Sequence, residues 1–117
     1  MSIVKVMNKT SNISTQIRKG TLDFFVLAIL KDTPRYPREV IETLNHHGLN
    51  LVEGTIYPLF LRLYKNNLVA YEWIESAGHP RKYYSLTPDG LIALKQYEHE
   101  WALLNHILTD IKKGSTS

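Results

Sequence analysis

The hydrophobic pattern of this chain leaves helical period for one short stretch, and that interruption limits the folds open to it. Up to Asn66-Asn67 the apolar residues recur three and four apart, the spacing of one helical face. Beyond it Val69, Tyr71 and Trp73 alternate with Ala70, Glu72 and Ile74, the period of a strand. The turn-forming segment Glu75-Ser76-Ala77-Gly78-His79-Pro80 follows, and Arg81 to Leu86 reads as the returning strand. Thr87, with Pro88 directly after it, suits a helix start, and helical spacing then runs to about Lys113. The order is helix, helix, helix, hairpin, helix. The expected fold is mainly α with a small β-hairpin (α+β), a winged helix-turn-helix in which the third helix enters the DNA major groove and the hairpin flanks it.

Upstream, residues 1–13 show no periodicity and are expected to form a flexible basic tail. Ser14 or Thr15 starts a short helix that Gly20 interrupts. From Thr21 the run LDFFVLAIL is apolar on nearly every side, which predicts a central, buried helix ending in the loop Lys31-Asp32-Thr33-Pro34. Pro37 fits the first turn of the next helix, with Val40, Ile41 and Leu44 as its inner stripe and Gly48 as its stop. The organisation read from this is a winged helix-turn-helix over 14–87, its recognition helix about 53–67 and its wing about 68–86. A C-terminal helix covers 88–113, and residues 114–117 form a disordered tail.

At 117 residues, 44% of them apolar and 21% charged, the chain suits one globular domain with a real core. No apolar run is long enough for a membrane span, and the first residues lack the apolar core of a signal peptide. There is no Cys, hence no disulfide and no thiolate metal site. A cytoplasmic protein fits. Net charge is +3, and its distribution matters more: residues 1–20 hold Lys5, Lys9, Arg18 and Lys19 without an acid, and Arg81-Lys82 forms a second basic spot. Such spots suit a polyanion such as DNA, although a solubilising tail has the same composition.

The stretch EGTIYPLFLRL (53–63) places Gly54 and Pro58, the poorest helix formers, inside a helical pattern. A helical proline clashes with the carbonyl four residues back, and that residue is Gly54, the one best able to adjust. The pair makes an accessible, slightly bent helix start. On a helical wheel Ile56, Leu59, Phe60 and Leu63 point to a core, while Thr55, Pro58, Arg62 and Lys65 point outward with Tyr57 and Tyr64 on one flank. A hydroxyl, aromatic edges and cations on one exposed face suit phosphate and base-edge contacts; a solvated helix face is the plainer reading.

These residues carry a family likeness. Gly54-Thr55-Ile56-Tyr57-Pro58-Leu59 with Arg62-Leu63 resembles the recognition-helix signature of PadR-type transcriptional regulators. Gly78-His79-Pro80-Arg81-Lys82-Tyr83-Tyr84-Ser85-Leu86-Thr87 with Gly90 is similar to their wing and its exit. The resemblance covers roughly residues 14–112. It implies a dimeric winged-helix DNA binder, usually a repressor released by a small molecule. By position it implies that Thr55, Tyr57 and Arg62 face DNA, with Arg81 and Lys82 on the wing, while Tyr84 and Leu86 pack the hairpin onto the core. Lys65, on the same outward face, joins the DNA-facing set. The expected DNA is a double-stranded operator with an inverted repeat, because a twofold dimer reads a twofold site. Departures at Val52 (often Ser or Asn), Pro37-Arg38 (often Gly and an aromatic) and Tyr64 (usually Glu) bear on operator sequence more than on fold.

Leu94, Tyr97, Trp101, Leu104, Leu108 and Ile111 are spaced 3, 4, 3, 4, 3, a heptad seam. The sharper reading is a homodimerisation helix, and the plainer one is an amphipathic helix packed on its own domain. The short N-terminal helix around Ile13 and Ile17 is expected to pack against it. The resemblance also implies that Trp101, with Tyr97 one turn earlier, lines a site for a small, flat aromatic effector, since multidrug-sensing relatives carry a Trp at a similar place. Trp101 as ordinary core is the alternative.

No cofactor and no metal site is expected: the five His show no converging set, with His99 and His106 seven apart and His46 and His47 diverging. A phosphate loop, a nucleophile elbow and a carboxylate pair are all missing, so no enzyme is expected. The remaining rival is a winged helix used for protein interaction without specific DNA binding. The basic, Tyr- and Thr-bearing face of 54–65 with Arg81-Lys82 favours DNA.

Overall fold

The computed structural model describes residues 3–114, with side chains from Asn12 onward. Its elements are α1 (Ile3–Leu30), α2 (Pro37–His46), α3 (Glu53–Lys65), β1 (Val69–Ser76), β2 (His79–Leu86) and α4 (Pro88–Gly114). Residues 1–2 and 115–117, the outer ends of the two expected tails, lie outside the described residues. Among the described residues, no helix is long and apolar enough to cross a membrane.

The core is made by the helical stripes. Val26, Leu27 and Leu30 of α1, Val40, Ile41 and Leu44 of α2, and Ile56, Leu59, Phe60 and Leu63 of α3 are all buried. Leu51, Val69, Tyr84 and Leu94 close the same cluster. Burying four apolar side chains of α3 along one side fixes its rotation, which is what holds its other side outward.

The helix ends follow local chemistry. After α2, Gly48 takes φ 107; its N–H donates to the Asn45 carbonyl at 3.1 Å, and Leu49 donates to Leu44 at 3.2 Å. Asn67 does the same after α3 with φ 61, donating to Tyr64 at 3.0 Å while Leu68 donates to Leu63 at 3.0 Å. Both are Schellman closures. The Asn45 side chain then ties the α2–α3 connection, accepting from Leu51 N–H at 2.7 Å and donating to its carbonyl at 3.0 Å.

The hairpin is antiparallel, registered from Val69 opposite Leu86 to Ser76 opposite His79. Its turn is only Ala77-Gly78, at φ 52 and 82, the tight two-residue form whose twist matches the strands. Strand pairing therefore extends further than the residues 75–80 read as turn. A second difference lies in the α1–α2 connection. Arg35 pairs with Tyr84, N–H to carbonyl at 3.0 Å and the reverse at 2.8 Å, adding a short third edge to the base of the hairpin. As expected, Tyr84 is buried and Leu86 packs against the core.

The N-terminal segment corrects the sequence. The chain is helical from Ile3, not a loose tail to residue 13, since no Gly or Pro stands before Gly20 to stop it. Gly20 does act: Lys19 (ψ 115) and Gly20 (φ 85) leave helical geometry and kink α1. Across the kink the Thr21 hydroxyl donates to the Ile17 carbonyl. Ile13 and Ile17 are exposed rather than packed on α4.

The start of α4 is stitched to the α3–β1 corner. Thr87 Oγ1 accepts from Gly90 N–H at 2.9 Å and donates to the Asn67 carbonyl at 2.5 Å. A Cβ on Gly90 would meet the Leu68 carbonyl oxygen at 1.9 Å, so this approach of helix to backbone admits only glycine. Leu94 corrects the expected seam: it is 1% exposed in the domain's own core. Burial where α4 packs on α1 and β2 consumes the side chain that heptad counting assigned to a partner.

Candidate nucleic-acid interface

The outer side of α3 carries Gly54, Thr55, Tyr57, Pro58, Leu61, Arg62 and Lys65, all exposed. A Cβ on Gly54 would meet nothing within 4 Å. No packed neighbour from another element crowds this glycine, and the backbone of the first turn is open.

One flank of α3 faces the wing. A cleft of about 500 Å³ runs between the start of α2, α3 and the hairpin, lined by Tyr36, Arg38, Tyr57, Leu61, Trp73 and Lys82 among others. The wing cations are seated on aromatic faces. The Arg81 guanidinium carbon lies 4.5 Å from the Tyr36 ring centre. Lys82 Nζ lies 4.5 Å from that of Tyr71 and 5.4 Å from that of Trp73. Cation–π attraction holds each stem while the charge stays available to an anion.

The other flank faces the α1 kink. Thr55 and Arg62 lie there beside Arg18, Lys19 and Asp23. Arg62 Nη2 donates to Asp23 Oδ1 at 2.5 Å, with the Arg side chain half exposed and the Asp largely covered. The structure thus divides the residues picked from sequence. Tyr57, Arg81 and Lys82 share the wing cleft, Thr55 and Arg62 share the kink side, and Lys65 stands exposed in the last turn. The sequence missed Tyr36, Arg38 and Trp73 as cleft residues. Arg38 also pairs with Glu42 at 3.7 Å and Glu53 at 3.9 Å.

Tyr97 and Trp101 do meet, through a residue the sequence did not single out. Phe24 of α1 stacks on Tyr97 (5.4 Å, 4° between planes) and tilts against Trp101 (5.9 Å, 55°). Burial, and then the Asp23 carboxylate, push the Tyr97 phenol up, with Arg62 opposing them. Trp101 is 47% exposed. Past it, Leu104, Leu108 and Ile111 are 59%, 50% and 62% exposed.

Residues 26–96 match the transcriptional regulator PadR-like family. The chain is similar to a PadR-like transcription factor from Bacteroides fragilis, at 42% identity over 86% of this chain and 98% of that one, with a TM-score of 0.74. A PadR family regulator from Eggerthella lenta is 32% identical over 92% and 96%, with a TM-score of 0.81. A PadR-like regulator from Bacillus cereus is 34% identical over 82% and 95%, with a TM-score of 0.75. No curated protein matches the sequence. A winged helix with an open, cation-flanked third helix, matched to that family over most of its length, is a DNA-binding regulator and not an enzyme: the chain belongs to the PadR-like family of transcriptional regulators.

Proposed function

We propose that the protein reads an inverted-repeat operator as a homodimer in the cytoplasm, as a repressor released by a small, flat aromatic effector. The observation that carries the DNA reading is the wing cleft. Tyr57 of α3 stands at one wall while Arg81 and Lys82, held on aromatic rings, stand at the other. That arrangement suits a recognition helix in the major groove with one sugar–phosphate strand between it and the wing. The row Trp101, Leu104, Leu108 and Ile111, apolar and uncovered, supports a second copy as the partner of α4. The aromatic cluster of Phe24, Tyr97 and the half-exposed Trp101 supports a flat aromatic effector.

DNA selected from random sequence by the purified protein tests the first part. The selected sites are inverted repeats, and Tyr57→Ala lowers specific affinity about tenfold or more while leaving non-specific binding close to the parent's. Neutralising Arg81 and Lys82 together flattens the dependence of log affinity on log salt by roughly 1–2 units with little change in preference. Failure to select any sequence would leave the fold as a protein-interaction module. Titration with planar dyes, following Trp101 fluorescence in Trp73→Phe, tests the effector; dye binding that survives Trp101→Leu removes it.

A further inference from the structure

The kink side of α3 is not used by the reading above, and it is a built groove. Gly20 at φ 85 and Lys19 at ψ 115 turn the chain so that Arg18 and Lys19 stand over the start of α3. The groove measures about 530 Å³ and includes Arg18, Lys19, Asp23, Thr55, Pro58 and Arg62 in its walls. It adjoins a second hollow of about 490 Å³ where Arg18, Lys19 and Thr55 recur with Asn50. Three cations face one carboxylate there, and Thr55 and Pro58 continue directly into the outer face of the recognition helix.

We propose that this groove is a second seat for the DNA backbone, flanking α3 on the side away from the wing, with Arg18, Lys19 and Arg62 as its cations. The inference rests on the DNA-binding reading and adds a contact to it. Asp23 is the stand-in anion of the free protein. A carboxylate and a phosphate offer a guanidinium the same pair of oxygens, so the 2.5 Å contact to Asp23 already aims the Arg62 fork into the groove. The carboxylate is the covered partner and the guanidinium the exposed one. The pair is therefore anchored at Asp23 and open to exchange at Arg62, whose half-exposed guanidinium a phosphate can reach. Arg62 exchanges Asp23 for phosphate when DNA arrives, while Arg18 and Lys19 come from α1, ahead of the α2–α3 pair, and lengthen the footprint.

Salt titration of binding to the selected operator, with hydroxyl-radical footprinting, tests this on three full-length proteins. For the double variant Arg18→Gln, Lys19→Gln, the slope of log affinity against log salt flattens by roughly 2, near 0.9 per lost phosphate contact. Protection is lost at the backbone positions on the non-wing side, and base preference is unchanged. Asp23→Asn, which keeps the shape but not the charge, binds more tightly because Arg62 no longer has to leave a carboxylate, with a slope close to the parent's since the number of phosphate contacts is the same. A parental slope and footprint in the double variant would overturn the second seat while leaving the operator reading intact. Weaker binding by a folded Asp23→Asn would make the pair a brace for α3 only, and would remove Arg62 from the seat. If the parent itself selects no DNA, the operator reading fails first.

Discussion

The start of α4 and its far end are built from the same kinds of residues, yet they meet different surroundings. Near Pro88 the helix is capped by Thr87, pressed onto the Leu68 carbonyl through Gly90, and sealed into the core by Leu94. Beyond Trp101, side chains of the same size and spacing stand in the open. A three-and-four repeat says that a helix has an apolar side; it does not say whose surface that side meets. In this protein the chain itself supplies the answer up to Tyr97 and Trp101, where Phe24 lies against them, and the second copy proposed above would supply it beyond.

The sharpest way to break that contrast is to truncate matched leucines. Leu94→Ala is expected to cost about 2–5 kcal/mol of folding stability through transfer loss and a cavity. Leu104→Ala is expected to shift unfolding only through association, so its effect shrinks as protein is diluted. Denaturation at several protein concentrations separates the two. Equal, concentration-independent losses would dissolve the distinction between the ends of α4.

Glycines offer a second contrast. Gly90→Ala is expected to destabilise by roughly 1–3 kcal/mol, since overpacking against backbone has nowhere to relax. Gly54→Ala, with open space beside it, is expected to leave stability within about 1 kcal/mol of the parent while weakening operator binding. Thermal unfolding and DNA titration on the same two proteins read out both halves. At the cap, Thr87→Ala is expected to cost about 1 kcal/mol, and hydrogen exchange would show fraying confined to the first turn of α4.

The smallest effect appears at high pH. The phenols of Tyr84 and Tyr97 are both raised above the ordinary 10.0, in each case mainly by burial. The unfolded chain then ionises first. Stability is whole below about pH 10 and declines as pH rises towards the folded-state values. Tyr84→Phe and Tyr97→Phe should each flatten part of that decline in denaturation measured from neutral pH upward.

Where a feature was set by neighbours along the chain, the sequence showed it. The inner stripes of α2 and α3, the Gly48 stop and the Thr87 cap all depend on residues within a turn of one another. Features that join distant segments were hidden. Asp23 and Arg62 are 39 residues apart, and nothing in the local pattern of either announces the other. The Arg35–Tyr84 pairing is too short to have a period. A core stripe and a dimer seam need identical spacing, so counting heptads alone cannot tell that Leu94 belongs to the core. The helix over residues 3–13 leaves no periodic mark, because periodicity reports an amphipathic face and a helix can form without one. At the interface, the outward face of α3 was legible, while its division between a wing flank and a kink flank required the fold.

The hairpin has a mechanical consequence. It is clamped near its root, where Tyr84 pairs with Arg35 and lies 4.6 Å from the Phe60 ring, and its two-residue turn leaves no slack at the tip. From Tyr84 to that turn the strand reaches roughly 20 Å. A cantilever of this length amplifies: a tilt of about 10° at the root would sweep the tip through roughly 3.5 Å, beyond the tolerance of a hydrogen bond. Under the proposed DNA reading, small repacking around Phe60 and Tyr84 would therefore set where the wing meets the backbone.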